Sequence, residues 1–260
     1  SDDLRVAGAS AARAIHDVDA RAHTVMMPLT DALAGDQQDI VRGAYQELGA
    51  AVPIVGGCAG DDLKMTRTYQ FHGSRVLTNA VVSAAIASDA PFGVGVRHGW
   101  TTVGASMLVT RSDRNIVYEI DGRPAIDVYV ERLGAPPEAM TDPAVFTQFA
   151  LEHPLGLARR VGEPIVRFIS EIDVEKGALV CLATVPEGAY IWALSGDERS
   201  VLDATDSACA EALAPLSEEP LAMIAFDCIA RRRVLGETGI RREIDRIAEQ
   251  ASGAPVAGFY

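Results

Sequence analysis

The residues from Pro53 to Asp62 carry the densest chemistry of the chain, because three glycines, a thiol and two carboxylates follow a short apolar run. Glycine permits positive φ and lets backbone N–H groups approach a ligand without a Cβ clash. Loops of this kind at the end of a strand are where α/β proteins place ligands. The segment therefore predicts a binding pocket, in which Gly56, Gly57 and Gly60 supply backbone donors to a ligand or to the loop itself.

The carboxylate of Asp61 has two possible roles in this loop. It could accept a hydrogen bond from a ligand ammonium or hydroxyl group, or it could cap its own loop by accepting backbone N–H groups. Nucleotide binding is disfavoured, since the glycine spacing is not a dinucleotide fingerprint and no Walker lysine follows it.

Two cysteines, Cys58 and Cys228, stand at the ends of apolar runs beside carboxylates. A reactive thiol needs a base or a positive neighbour that lowers its pKa. Arg231 could serve Cys228 in this way, but no histidine is near either cysteine in sequence. We therefore expect packed thiols and no enzyme activity, and we keep a cysteine-dependent hydrolase or transferase as an alternative.

Histidine spacing gives no metal site, because the five histidines form neither HxH nor HExxH. His98 lies between Arg97 and the Gly99–Trp100 pair, where an imidazole and an aromatic ring could flank a flat ligand. A lone histidine can ligate haem iron, so haem on His98 is the one cofactor kept as an alternative. Otherwise no cofactor and no metal are predicted.

Polar residues on predicted strands add two further candidates for ligand contacts, Thr68 and Arg167. Arg167 is flanked by apolar neighbours, and a half-buried guanidinium needs an anion. Its partner is expected to be an internal carboxylate or the carboxylate of a ligand.

Composition limits the classes of partner. The 260 residues carry a formal net charge of −13, which argues against nucleic acid or an anionic membrane as the partner. The one basic run, Arg231–Arg233, is expected at a solvated edge. Four scattered cysteines without a CxxC pair, no signal peptide and no membrane-length apolar stretch favour a cytoplasmic protein.

Hydrophobic periodicity predicts an α/β (α+β) protein with two lobes of mixed or antiparallel sheets packed with helices. The predicted helices are 36–48, 124–133, 144–152, 198–214 and 237–251. The predicted strands are 4–9, 23–29, 52–55, 66–71, 75–86, 92–98, 103–110, 116–120, 164–170, 178–184, 189–195 and 221–226.

The proline- and alanine-rich stretch Gly134–Pro143 is the best linker candidate, so the predicted domains are 1–134 and 144–260. A faint internal echo is also present. The same order occurs twice: a helix, a glycine, and a short strand that ends in a glycine three residues after a proline. The strands end at Gly56 and at Gly258. The echo could reflect two related lobes or a chance match.

Several motifs resemble the FIST family (F-box and intracellular signal transduction proteins). The resemblance covers roughly residues 25 to 260. It is carried by Pro53–Asp61, Thr68–Phe71, Gly99–Thr110, Asn115–Ala125, Pro154–Gly156, Val185–Gly188, Phe226–Cys228 with Arg231, Glu243 and Gly258–Tyr260.

The resemblance implies a bacterial sensory module that binds a small ligand and works with kinases, chemotaxis receptors or cyclic-nucleotide enzymes. Amino acids are proposed ligands for the family, and one branch is described as haem-based nitric-oxide sensors. The domains would be the C-terminal part of a FIST N-type lobe and a FIST C-type lobe, so the chain resembles part of a longer protein.

The ligand is expected between the two lobes. One wall would be Gly56–Asp61, and the opposite wall would contain Phe226, Asp227, Cys228 and Arg231. Asp227 departs from the family, which usually has serine there, and this changes the polarity expected in the pocket.

Overall fold

A computed structural model describes residues 3–62, 64–159 and 162–260 and shows a mixed α/β protein, which confirms the predicted fold class. Its described helices are α1 Leu4–Ala12, α2 Gln37–Leu48, α3 Ala125–Leu133, α4 Pro143–Glu152, α5 Glu198–Leu213 and α6 Ile229–Gln250. Its described strands are β1 His23–Asp31, β2 Gly57–Ala59, β3 Gln70–His72, β4 Arg75–Leu77, β5 Val82–Ser88, β6 Thr101–Asp113, β7 Ile116–Ile120, β8 Arg123–Pro124, β9 Leu155–Leu157, β10 Ile165–Arg167, β11 Ile169–Asp173, β12 Ala178–Cys181, β13 Tyr190–Ser195, β14 Met223–Phe226 and β15 Val256–Phe259.

The chain forms two compact units. The first unit comprises the described residues up to Val96 together with Asp206–Ile229 and Ile244–Tyr260. The second unit comprises Arg97–Thr205 and Ala230–Glu243.

The first unit is built around β1, the middle strand of the sheet β2-β1-β5. β1 pairs in parallel with β2 and antiparallel with β5. The predicted strand Val52–Val55 is reduced to a single bridge between Met26 and Ile54. The helix α2 begins as predicted, with the Asp36 side chain accepting the N–H of Gln38, and ends at Gly49.

The predicted strand Leu4–Ala9 is wrong, because these residues form α1. The side chain of Asp3 caps this helix by accepting the N–H groups of Arg5 and Val6. A Cβ on Gly8 would lie 2.0 Å from the Ile40 carbonyl oxygen, so the two helices approach at a glycine. The cap at Asp3 and the small residues that allow close packing explain why a helix forms here. The alternation of Leu4 and Val6 instead suggests a strand, which is why the sequence prediction is wrong.

The predicted strand Phe92–His98 is also wrong. Its residues up to Val96 run extended against α5 and pair with no strand among those described. A Cβ on Gly93 would lie 1.6 Å from the Ala212 carbonyl oxygen, and one on Gly95 would lie 1.9 Å from that of Ala208. The N–H of Val96 donates to Glu211 at 3.2 Å. Gly93 and Gly95 therefore allow this segment to pack closely against α5.

The second unit contains a sheet in the order β10-β9-β13-β6-β7-β12-β11, with β8 paired to β7. Its core includes the fully buried Met107, Leu155 and Ile191, and α3 contributes Tyr129. Pro124 precedes α3 as predicted, and Gly134 ends it in the left-handed conformation. Ala139, within the stretch predicted as a linker, is buried in this core.

The last helix begins at Ile229, earlier than the predicted start at Glu237. It consists of two helical segments joined at Gly236, whose φ of 60° and ψ of 179° are not helical. Glycine has a low helix propensity, so the sequence pattern predicts a helix only after Gly236. The segment from Ile229 to Leu235 is therefore missed.

Candidate functional site

A cavity of about 680 Å³ opens in the first unit. Side chains of the central sheet form its floor, namely Val25 and Met27 of β1 and Ile86 of β5. Val25 and Met27 point to the same face because side chains alternate along a strand. The floor of the cavity is therefore apolar.

Two further walls come from segments that are distant in sequence. One is the loop from Ser88 to Val94, which the contact of Gly93 with the α5 backbone holds in place. The other runs from Ala212, in the last turn of α5, to Phe226 at the end of β14. Leu221 on this second wall is 89% exposed and Ile224 is 50% exposed. Exposed apolar side chains that adjoin one apolar cavity indicate a binding surface, whereas single ones scattered over a surface do not.

The charges at the cavity are acidic. Asp89, Glu218 and Glu219 are the charged residues among those that line it. Asp89 pairs with Arg21, whose guanidinium lies 2.9 Å from the carboxylate. Glu218 and Glu219 stand on the exposed loop between α5 and β14.

The segment Pro53–Asp62, with which the sequence analysis began, packs beside this cavity, and its residue Val55 lines the cavity. A Cβ on Gly56 would lie 1.9 Å from the Pro28 carbonyl oxygen. A Cβ on Gly57 would lie 3.0 Å from the Phe259 ring and 3.2 Å from the Phe226 ring. Gly56, Gly57 and Gly60 do not have positive φ, so the expectation of that conformation is wrong. Gly56 and Gly57 allow close packing, whereas Gly60 has open space around it.

Asp61 caps its own loop, the second of the two predicted roles. Its carboxylate accepts the N–H groups of Met65 at 3.0 Å, Thr66 at 2.7 Å and Arg67 at 3.1 Å. These bonds, with that of Thr66 first, lower the pKa of Asp61 to about 2. The lowered pKa therefore reports loop structure.

Cys58 and Thr68 both have polar partners in the first unit. Cys58 is an exposed residue, so the expectation of a packed thiol is wrong for it. Its sulfur still lies 3.1 Å from the Thr30 hydroxyl, and desolvation of the sulfur raises the pKa of this thiol. Thr68 is buried, and its hydroxyl accepts the amide of Gln70 at 2.7 Å. A raised pKa lowers the fraction of thiolate, so the environment of Cys58 does not activate it.

Phe226 is the predicted site residue that the structure places in the cavity wall. Its ring meets that of Phe259 edge-on, with 5.5 Å between the centroids. Asp227 follows, and its carboxylate accepts the N–H of Cys228 at 2.6 Å. Cys228 is the residue that caps α6.

Arg231 belongs to the second unit and is buried there, so the expectation of a solvated basic run is wrong for this residue. Its guanidinium pairs with Glu243 and donates to the Thr205 hydroxyl at 2.7 Å and to the His98 carbonyl at 3.0 Å. Glu243 is fully buried, so the pair is enclosed by protein. The kink at Gly236 lies between the two partners in the sequence of α6.

Arg167 and His98 also lie in the second unit. The buried guanidinium of Arg167 donates to the carbonyls of Thr184 at 2.8 Å and Val166 at 3.1 Å. The Nδ1 atom of His98 accepts the N–H of Trp100 at 3.0 Å, and Nε2 lies 3.1 Å from the Pro164 carbonyl oxygen. Burial lowers the pKa of His98, which favours the neutral ring that this bonding requires.

Two searches for other classes of site concern the described residues. Within 3–62, 64–159 and 162–260, no group of three or more histidine, cysteine, aspartate or glutamate residues is placed to hold a metal ion. No helix in this part of the chain combines the length and apolar character needed to cross a bilayer.

Sequence reasoning missed most of the cavity. The periodicity predicts Val25 and Met27 within the buried strand 23–29, and it predicts the end of a helix, a loop and the start of a strand for the wall from Leu213 to Leu221. The available signal was the pairing of apolar Leu216 and Leu221 with two glutamates inside a loop, where polar residues are usual.

The chain belongs to the FIST family. A FIST N domain matches residues 1–123 and a FIST C domain matches residues 125–260. FIST domains are associated with sensing in signal transduction.

Curated relatives come from archaea and bacteria and are named as uncharacterized proteins. One from Methanocaldococcus jannaschii is 28% identical over 179 residues, which is 65% of this chain and 34% of that protein. One from Mycobacterium tuberculosis is 24% identical over 246 residues, which is 93% of this chain and 63% of that protein. The chain thus spans a third to under two thirds of the length of these relatives. No solved structure matches it significantly.

Proposed function

We propose that the protein is a sensory module of signal transduction that binds a small organic ligand in the cavity of its first unit. The observation that carries this proposal is the cavity of about 680 Å³ with exposed Leu221 on its wall. Ligand pockets of proteins typically measure about 300–1,000 Å³ and are mainly apolar with a few polar groups. The family's association with sensing supports the same function.

The signal would be a shift in the population of loop conformations. The cavity walls include the loops at 88–94 and 214–222. Leu221, in the second of these loops, is the most exposed of the large apolar side chains that line the cavity. A ligand that covers Leu221 would bind more tightly when the two loops lie over it than when they are apart. It would therefore increase the population of the conformation in which the loops lie over the ligand.

Calorimetric titration of the full chain with naphthylmethanol, a neutral apolar probe, tests this proposal. Ala90 lies at the exposed edge of the cavity, and an indole in place of its methyl group occupies the opening. We expect Ala90→Trp to weaken binding by at least about tenfold, the scale on which one filled subsite acts. Ala51→Trp, at an exposed turn of the same unit outside the cavity lining, is the matched control and keeps the affinity.

Binding that is absent from the unchanged protein, or that Ala90→Trp leaves intact, contradicts the proposal. Where the probe binds and Ala90→Trp weakens it, native mass spectrometry of protein purified without dialysis identifies the natural ligand by its mass.

A further inference from the structure

We infer that the cavity of the first unit selects apolar molecules with a positively charged end, such as aryl or alkyl amines. This inference rests on the proposed function and adds the chemical class of the ligand. It follows from the composition of the walls and from the distribution of charge around the opening.

The body of the ligand must be apolar, because the floor of the cavity is apolar and both walls present large apolar side chains beside their polar residues. Val25, Met27 and Ile86 lie below, and Phe92, Met223 and Phe226 lie at the sides. Aromatic and thioether groups provide polarizable surfaces that suit a flat or branched hydrocarbon. A strongly polar ligand would leave its groups without hydrogen-bond partners there, which costs affinity.

The polar end of the ligand must tolerate carboxylates. Among the described residues that line the cavity, the charged ones are all acidic. Arg21 offsets Asp89 through its salt bridge, which leaves the charges of Glu218 and Glu219 at the opening. An ammonium group gains from both of these charges, whereas a carboxylate or phosphate is repelled by them.

A free amino acid is a poorer match than an amine on this basis. Its ammonium group has carboxylates to face, but its own carboxylate has no arginine, lysine or histidine among the described lining residues. Sites that capture carboxylates generally use an arginine fork or a cluster of backbone N–H groups.

A series of four naphthyl compounds tests the inference by calorimetry on the full chain: naphthylmethylamine, naphthylmethanol, naphthoate and naphthylalanine. Each exposed carboxylate in such a pairing changes affinity by about threefold. Because two carboxylates act, we expect the amine to bind about tenfold more tightly than the neutral alcohol. Naphthoate should bind more weakly than the alcohol, and naphthylalanine more weakly than the amine. The double variant E218Q/E219Q should remove the preference, because glutamine keeps the side-chain size and loses the charge.

The matched control is D245N/E249Q, which removes the same charge from two exposed residues of the same unit outside the cavity lining. It should retain the preference for the amine. If naphthoate binds as tightly as the amine, or if the control loses the preference as fully as E218Q/E219Q, the inference is overturned. Binding of the alcohol without preference for the amine overturns this inference alone, while failure of all four compounds to bind overturns the proposed function as well.

Discussion

Two strand pairs in the first unit share the same backbone contacts. The N–H of Met26 in β1 donates to the Pro53 carbonyl at 3.0 Å, and that of Met223 in β14 donates to the Pro255 carbonyl at 2.9 Å. Three residues after each proline stands a glycine whose added Cβ would meet the carbonyl of the paired strand. That distance is 1.9 Å at Gly56 and 2.0 Å at Gly258. The echo in the sequence thus has a counterpart in the structure, within a single unit.

The two pairs differ in what lies on the other side of the first strand. β1 is flanked by β2 and β5, whereas β14 pairs with β15 alone among the described strands. Both pairs border the cavity, the first through Val25 and Met27 and the second through Met223 and Ile224. The opposite face of the first pair is a core, where Met26 is 1% exposed and packs with Ala12 of α1 and Ala44 of α2. Ile224 of the second pair is 50% exposed. The same local pairing is therefore enclosed in the first pair and more open in the second.

The connecting helices give the largest expected contrast. Within α6, Arg231 and Glu243 form a buried pair, whereas Asp39 of α2 contacts Arg5 and Arg42 at the surface. Breaking a buried pair leaves an uncompensated charge, so Glu243→Ala should lower the free energy of unfolding by about 3–5 kcal/mol. Denaturant titration measures this change.

The control for Glu243→Ala replaces both partners by apolar residues of similar size. Arg231→Met with Glu243→Leu should recover most of the lost stability, because neither charge remains unpaired. A loss below about 1 kcal/mol for Glu243→Ala, the scale of a surface pair, would show that the pair is not buried.

The two glycines give the next largest effect. Gly56→Ala should lower the free energy of unfolding by about 3 kcal/mol and Gly258→Ala by about 1 kcal/mol, both within the range of overpacking. The difference is expected because β1 is held between two strands and β14 can shift into open space. Gly60→Ala, where a Cβ meets nothing within 4 Å, is the control and should be neutral. Equal losses at Gly56 and Gly258 would remove the distinction between the pairs.

The loop after the first pair should respond to acid at Asp61. Its folded pKa of about 2 lies below the ordinary value, so the loop is stabilised above about pH 4 and loses this stabilisation as the pH falls through the folded value. Proton NMR of the Thr66 and Arg67 amides measures the change. Asp61→Asn should abolish it; an unchanged pH profile in this variant would assign the titration elsewhere.

The smallest expected effect is at Asp39, whose pKa is lowered by its hydrogen bonds to Arg5 and then Arg42. Pairing therefore adds stability above the unfolded pKa, and this addition disappears as the pH falls through the lower folded pKa. Asp39→Asn should lower the melting temperature slightly near neutral pH, and it should leave the melting temperature unchanged in strong acid. A change as large as that of Glu243→Ala would contradict the ranking of the two helices.

The sequence carried local signals well and long-range ones poorly. Asp36 and Gly49 mark the ends of α2 because capping acts within a few residues. Phe92–Val96 has the composition of a strand, but its glycines pack against the backbone of α5. Local propensity contains no information about that contact.

The candidate site shows the same division. Phe226 could be predicted from a short motif. The glycine segment could be located in the same way, but its packing role could not, because that role depends on Pro28 and Phe259, which are distant in sequence. The cavity itself combines Val25, Ile86 and Leu221, which come from three distant parts of the chain. Each of these residues alone is an ordinary apolar side chain. The burial of Arg231 was likewise hidden, because its partner Glu243 lies beyond the kink at Gly236.

Hydrogen exchange of the full chain with and without naphthylmethanol tests most directly whether the side of β14 away from β15 borders a ligand site. We predict slower exchange at residues 88–94 and 216–224, with no change at residues 40–48 of α2, which lie outside the cavity lining and act as the internal control. Protection of residues 40–48 equal to that of the two loops, or no protection at residues 216–224, would contradict this account.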